Sequence, residues 1–188
     1  IISRPSLQPR FQGFRAKAKN INTFNFNGRY FDRLFLSGLS RQDWESAIDS
    51  FLPLMTDSVI ESALTQQPAA IQSYSLPFII NTLKERRKFL KDDVMDYYKF
   101  LAKAVDIYGS DKKEWFEVIR NQDGSVRVQM YKLNKEGEKT NKNFDRTFYP
   151  SETNEIRLWG MGGDDRFDVQ GHATKTILVR IIGGRGND

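Results

Sequence analysis

The chain has 188 residues, 39% hydrophobic and 28% charged, with no cysteine and a formal net charge of +5. That composition suits a globular protein with one sizeable core or two small ones. It excludes disulfides and thiolate metal sites, and no apolar run approaches the roughly 18 residues of a membrane helix. The excess charge lies in residues 1–20, where Arg4, Arg10, Arg15, Lys17 and Lys19 meet no acid. A basic arm on a neutral body argues against a nucleic-acid-binding domain, which carries its basic face within the fold. Phe11, Phe14, Phe24 and Phe26 accompany these charges and could stack on bases. A linker that packs its aromatics on the next domain is the simpler reading. Ile1 and Ile2 are followed by mostly polar and basic residues, so no signal peptide is visible.

Pro5 and Pro9 favour an extended path. Residues 20–27 alternate polar with apolar, which predicts a strand ended by Gly28. Tyr30, Phe31, Leu34 and Phe35 predict a short helix with a stop at Gly38. Ser40 is the N-cap of a helix carrying Trp44, Ile48, Phe51 and Leu52 on one face, ended or bent at Pro53. Thr56 caps the next helix, with Val59, Ile60, Ala63 and Leu64 as its stripe, and Pro68 closes it. From Ser75, with Pro77 in the first turn, Ile80, Leu83, Arg87, Leu90, Val94, Tyr97, Leu101 and Val105 recur at spacings of three and four. They predict a helix of roughly 28 residues, about 42 Å long. Arg87 is the one charge in that stripe, to be paired with an acid or placed where the helix leaves the core.

At Val105 the period changes to two. Strands are predicted at 115–120 and 126–133, joined by a hairpin turn at Asp123-Gly124. Residues 135–143 are polar and predict a mobile loop, and 146–149 a short strand.

The end of the chain holds one short pattern twice. Ile156-Arg157-Leu158-Trp159-Gly160-Met161-Gly162-Gly163-Asp164-Asp165 lies over Val179-Arg180-Ile181-Ile182-Gly183-Gly184-Arg185-Gly186-Asn187-Asp188 at a constant offset of 23. A strand followed by a Gly/Asp turn at a fixed period is the signature of stacked coils. The fold expected is therefore α+β. Residues 1–28 form a basic arm and first strand, 29–105 a helical subdomain, and 106–150 an antiparallel β-meander. Residues 151–188 form the first two coils of a parallel β-solenoid. The second copy stops inside the motif, which predicts a piece of a longer protein. The half-apolar outer face of the coils predicts cover by the helical region or the hairpin.

The second copy matches the opening of the calcium-binding nonapeptide G-G-x-G-x-D, and the first matches it less well, with Met161 replacing one glycine. Gly160, Gly163, Asp165, Gly183, Gly186 and Asp188 are the candidate metal site, since two stacked turns together could approach the six to eight oxygens calcium requires. The alternative is a metal-free corner in which Asp caps backbone N–H groups. No catalytic constellation stands out. His172 is the only histidine and falls in a surface loop. Asp92, Asp93 and Asp96 read as a solvated helix face, and Asp32-Arg33 and Asp145-Arg146 as surface pairs. Neither a phosphate loop nor a nucleophile elbow is present.

Several strings together carry a resemblance: residues 24–33 from Phe24 to Arg33, Tyr97-Tyr98-Lys99-Phe100-Leu101-Ala102-Lys103 with Val105-Asp106, Gly109-Ser110-Asp111-Lys112, Glu155-Ile156-Arg157-Leu158-Trp159-Gly160, and Ile181-Ile182-Gly183-Gly184. From about residue 20 onward the chain resembles a region of large cell-envelope proteins of Bacteroidetes-type bacteria. Those proteins carry a calcineurin-like phosphoesterase or atypical kinase domain upstream and an outer-membrane surface-antigen β-barrel downstream. The phosphoesterase and kinase residues have no counterpart here. The resemblance implies a non-catalytic connector or interaction module, periplasmic or outer-membrane-associated. Its partners would be the neighbouring domains of its own chain and other envelope proteins, and the one cofactor to consider is the calcium that the repeated Gly/Asp turns themselves suggest. Two alternatives accompany it: an accessory lobe of a phosphoesterase or kinase-like enzyme, with the helices after Gly28 in its active-site wall, and binding of an anionic surface or nucleic acid by the basic arm.

Overall fold

The computed structural model describes residues 13–188. Arg4, Arg10, Phe11 and the extended path expected at Pro5 and Pro9 lie outside them. The chain divides into two compact units. The first takes residues up to Asn27 with Arg41–Phe100, and the second takes Gly28–Ser40 with Leu101–Asp188. The architecture is mixed α+β, with two sheets that combine parallel and antiparallel strands.

The first unit is helical: α1 (Ile21–Phe24), α3 (Arg41–Phe51), a 3-10 turn (Leu52–Leu54), α4 (Asp57–Thr65) and most of α5 (Ala69–Ala102). The strand expected over 20–27 is instead α1 with flanking turns. Asn20 adopts left-handed backbone angles, and its carbonyl accepts both the N–H and the hydroxyl of Thr23, each at 2.8 Å. Such short-range bonds from Asn and Thr compete with strand pairing. Thr56 caps α4, accepting the Val59 N–H at 3.2 Å. The long helix starts at Ala69 rather than Ser75, and Pro77 lies inside it. Gln72 holds that early start by donating to the carbonyls of Thr65 and Gln67. Arg87 has its acid: Nη2 reaches Asp57 Oδ1 at 2.7 Å and Nη1 donates to Met55 O. Ile48, Ile60, Met95 and Tyr98 are buried, and the Trp44 ring packs on Tyr98 at 5.8 Å. In the arm, Phe14 packs edge-on against Phe78 and Lys17 lies over the Phe89 ring, as a packing linker would.

The second unit holds α2 (Arg29–Leu36) and the seven strands of the described residues: β1 (Ala104–Tyr108), β2 (Glu114–Arg120), β3 (Val126–Leu133), β4 (Lys139–Phe148), β5 (Glu155–Gly162), β6 (Arg166–Gln170) and β7 (Leu178–Arg185). One sheet runs β1-β5-β7, all parallel, and the other runs β4-β3-β2-β6. The helix predicted to continue to Val105 ends at Ala102. Val105 and Ile107, at 3% and 1% exposure, are instead core residues of β1. The Asp123-Gly124 turn closes as expected, with Gly124 at φ 84° and Asp123 Oδ1 accepting the Ser125 N–H.

The mobile loop expected at 135–143 is corrected. Lys139–Phe148 is a strand paired antiparallel to β3, with only Asn134–Glu138 turning. Its first half is exposed on both faces. An edge strand of that kind shows no alternation of polar and apolar residues, and its lysines guard the edge. Between the sheets lies one core containing Val105, Ile107, Phe116, Val118, Val126, Val128, Phe148, Ile156, Leu158 and Ile177. Phe116 is fully buried and stacks on Phe167 at 4.8 Å. Phe116→Ala is expected to cost about 3–5 kcal/mol in denaturant unfolding. Tyr74→Ala, at a side chain 95% exposed, should change stability by less than about 0.5 kcal/mol.

Candidate functional site

The parallel pairings bring the repeated corners together. Ile156 pairs with Val179 and Leu158 with Ile181, the offset of 23 residues expected from the repeat. Ala104 pairs with Glu155 and Tyr108 with Trp159, an offset of 51. The second sheet keeps the same offset, with Trp115 opposite Arg166 and Val118 opposite Val169. Three tiers therefore stack. The first is β1, a corner and β2. The second is β5, a corner and β6. The third is β7 and its corner. The two offsets differ by 28 residues because the β3–β4 hairpin is inserted after the first tier.

The first tier was not legible as a repeat. Its corner, Gly109 to Glu114, lies over Gly160 to Asp165 and Gly183 to Asp188. In all three the acid follows the glycine by five residues. That spacing is the signal that could have found it, but the 51-residue interval and the Glu-for-Asp exchange conceal it.

The acids form a ladder. Asp188 Oδ1 accepts the N–H of Asp165 at 2.9 Å, and Asp165 Oδ1 accepts the N–H of Glu114 at 2.9 Å. Glu114 turns back on its own corner, Oε2 accepting the Ser110 N–H at 3.0 Å. The neighbouring column is tied as well, by Lys113 to Asp164 at 2.7 Å and by the Asn187 N–H to Asp164 Oδ1 at 3.2 Å. Asp165 and Asp188 thus close the corner of the tier before their own, as in the metal-free alternative.

The motif glycines have two separate reasons. A Cβ on Gly160 would stand 2.4 Å from Asp165 Oδ2 and 2.2 Å from Gly183 O, and one on Gly183 would stand 2.3 Å from Asp188 Oδ2. These two make room for the carboxylate of their own corner. Gly163 and Gly186 instead adopt φ of 109° and 143°, closed to most L-residues. All six residues of the candidate metal site are therefore brought to one column of corners. Met161 departs from the pattern and keeps φ at 76° without being a glycine.

Asp165 is 5% exposed, and its Oδ2 has no hydrogen-bond partner. Burial pushes its pKa up to about 6, and the charges of Glu114, Asp188 and Asp164 push the same way, against the N–H of Glu114. Among the described residues no three His, Cys, Asp or Glu side chains form a metal-ligating group. His172 is exposed in the loop before β7, and Asp92 and Asp96 are exposed on α5.

The outer face of the β1-β5-β7 sheet is polar at its centre. Arg157 Nε lies 3.4 Å from buried Asp106, Trp159 Nε1 donates to Asp106 at 2.9 Å, and Trp159 stacks on Tyr108 at 5.8 Å. Arg180 reaches Glu155 at 2.8 Å. Helix α2 lies against β1. Its Arg33 donates to Leu101 O, and burial together with the Arg157 charge holds that guanidinium below its usual range. The helical region thus supplies part of the expected cover.

No protein-family model, no curated protein and no solved structure matches this chain.

Two outcomes test the corner. Gly160→Ala forces Cβ into both a carboxylate and a carbonyl and is expected to lower stability by about 2 kcal/mol or more. Met161→Gly releases the left-handed strain and should raise it by up to about 1 kcal/mol. The raised Asp165 pKa also carries a sign. Its contribution is most favourable below the unfolded value and is lost as pH rises through about 6. Asp165→Asn keeps an acceptor for the Glu114 N–H. It should flatten the pH dependence of stability between about pH 4 and 6, by on the order of 1–2 kcal/mol relative to wild type. Thermal melts of both proteins across that range read the difference.

Proposed function

We propose that the chain is a non-catalytic connector or interaction module of a cell-envelope protein, in which a helical unit leads into the first coils of a parallel β-solenoid. One observation carries this reading. Three corners from distant stretches stack in register, and the first two are each closed by the acid of the tier that follows. Such a column stiffens a scaffold and leaves nothing exposed at its centre to attack a substrate. The envelope setting rests on the resemblance of residues 24–33, 97–103, 105–106, 109–112, 155–160 and 181–184. A periplasmic or outer-membrane-associated location follows from it, with neighbouring domains and other envelope proteins as partners. No helix of the described residues is long and apolar enough to cross a membrane.

The enzyme-lobe alternative receives less support. Tyr30, Phe31 and Phe35 are exposed. The apolar cavity of about 360 Å³ in the helical unit is lined by Ile21, Trp44, Leu90, Val94 and Tyr97 among others, with no residue from 30–39. Binding of an anionic surface or nucleic acid by the arm is disfavoured by the way Phe14 and Lys17 pack on α5.

A second reading adds calcium, and the free Oδ2 of Asp165 favours it. Asp165 and Asp188, with carbonyls of Gly160, Gly163, Gly183 and Gly186, would hold the ion. It would neutralise the column of acids and link successive corners.

The connector reading expects an antibody to this chain to find it in the envelope fraction of the cells that make it. It also expects no hydrolysis of p-nitrophenyl phosphate or ATP above buffer. Recovery in the cytosol, or measurable turnover, overturns it. The calcium reading expects about 5 mM calcium to raise the melting temperature by at least about 2 °C, with the rise lost in Asp165→Asn. An unchanged melt removes calcium and leaves the connector standing.

A further inference from the structure

The described side chains of the helical unit leave a hollow between them. It has a volume of about 360 Å³ and lies between the segment that carries Ala18, Ile21 and Asn25, helix α3 and the middle of α5. Protein interiors are otherwise packed to the density of organic crystals, and a water occupies only about 30 Å³. Small-molecule sites begin at roughly 300 Å³, so the hollow is of ligand size.

Helix α5 builds one wall. Arg86, Leu90, Asp93, Val94 and Tyr97 follow at helical spacings that place them on one face. Trp44 of α3 adds a second ring, 6.5 Å from that of Tyr97 and edge-on to it. Apart from Asn25, Arg86 and Asp93 the lining is apolar.

The two charged side chains differ in what they already hold. Arg86 is engaged: its Nε donates to Arg15 O at 2.5 Å, and its guanidinium lies over the Phe14 ring at 4.7 Å. Asp93 makes no hydrogen bond and no ion pair among the described residues. It also departs from the solvated face expected of its acidic run, being half-buried where Asp92 and Asp96 are exposed. Burial raises its proton affinity, Asp96 and Asp92 push the same way, and Lys17 and Arg86 push against them. The Lys17 ammonium sits over the Phe89 ring, and Asp96 is paired with Lys99. A half-buried carboxylate without a partner, on the wall of an apolar hollow, is satisfied by a cation that donates to it. The Trp44 and Tyr97 rings favour the same charge, because an aromatic face attracts cations. An anion would meet the Asp93 carboxylate and find Arg86 occupied.

We propose that the hollow between α3 and α5 is a binding site for a small organic amine: an ammonium group on an aromatic or branched aliphatic body. The ammonium donates to the Asp93 carboxylate, and the body lies against Ile21, Trp44, Leu90 and Val94. Every lining residue belongs to the helical unit. The site therefore gives that unit a ligand of its own, beyond the connector reading and independent of the column of corners.

The test titrates the whole chain with phenethylamine and, separately, with its neutral and anionic counterparts, phenethyl alcohol and hydrocinnamate, following amide and indole N–H resonances by NMR. Shifts are expected at Trp44, Leu90, Asp93, Val94 and Tyr97, with a Kd for the amine on the order of 1 mM or below. The alcohol should bind at least about threefold more weakly, and hydrocinnamate at least about tenfold. Asp93→Asn should weaken the amine at least about fivefold and leave the alcohol unchanged, whereas Asp93→Glu keeps the preference for the amine. Equal binding of the amine and hydrocinnamate overturns the proposal. So does an amine affinity unmoved in Asp93→Asn, a set of shifts confined to Asp92 and Asp96, or the absence of any shift at about 20 mM amine. The comparison of the three charges needs only the wild type, so the proposal is decided even where Asp93→Asn fails to fold. None of these results bears on the envelope fractionation or turnover assays, so this inference can fail while the connector reading holds.

Discussion

A carboxylate that accepts a backbone N–H across a corner is the interaction on which the second unit depends. A tight corner between two strands leaves amides that neither sheet can pair, and burying them unpaired costs on the order of 1–3 kcal/mol each. Asp165 and Asp188 answer that need for the tier before their own. The answer imposes a second constraint. The carboxylate must lie flat on its own corner, which only a residue without Cβ permits, so Gly160 and Gly183 follow from the acids. Acid and glycine are one device in two parts.

The remaining architecture fits around that column. Once the corners are in register, the strands on either side must be too. The inward residues then fall into columns: Val105 with Ile156 and Val179, Ile107 with Leu158 and Ile181, Phe116 with Phe167. A one-residue slip would turn every one of these outward. The β3–β4 hairpin is accommodated because it leaves and re-enters between tiers, away from the corners. It adds Val126, Val128 and Phe148 to the same core. Asp165 bears the strain of this arrangement. It has one oxygen engaged and one buried without a partner, and its proton affinity is raised accordingly.

Much of this was legible in the residues, and the reasons for the failures are physical. The offset of 23 was visible because glycines and aspartates occupy positions where few other residues fit. The helices from Tyr30 to Tyr97 were visible because their apolar residues recur at spacings of three and four, although α2 buries none of its own. The α5 start was missed because Pro77 was read as a first-turn residue, whereas the helix tolerates it inside. Strand β4 was missed because an exposed edge strand has no hydrophobic face to announce it, and α1 because alternating Asn and Phe residues imitate a strand. The first tier escaped because a period was sought. The invariant is the five-residue step from glycine to acid, and the interval between tiers varies. For the metal site, the six residues were found and brought together, yet one oxygen of each of two carboxylates is engaged in holding the backbone. Sequence spacing alone does not distinguish those uses.

The direction of the ladder has a consequence for how the protein is made. The caps on the Glu114 and Asp165 amides reach backward, from a later tier to an earlier one, while Asp164 accepts the Asn187 N–H of the tier after it. The corner at Glu114 is incomplete until Asp165 has been synthesised, and the corner at Asp165 until Asp188 has followed. As the chain emerges during translation, each strand therefore waits for its successor before its own corner closes. The first two corners can close only in the order of synthesis, each sealed by a residue translated after it.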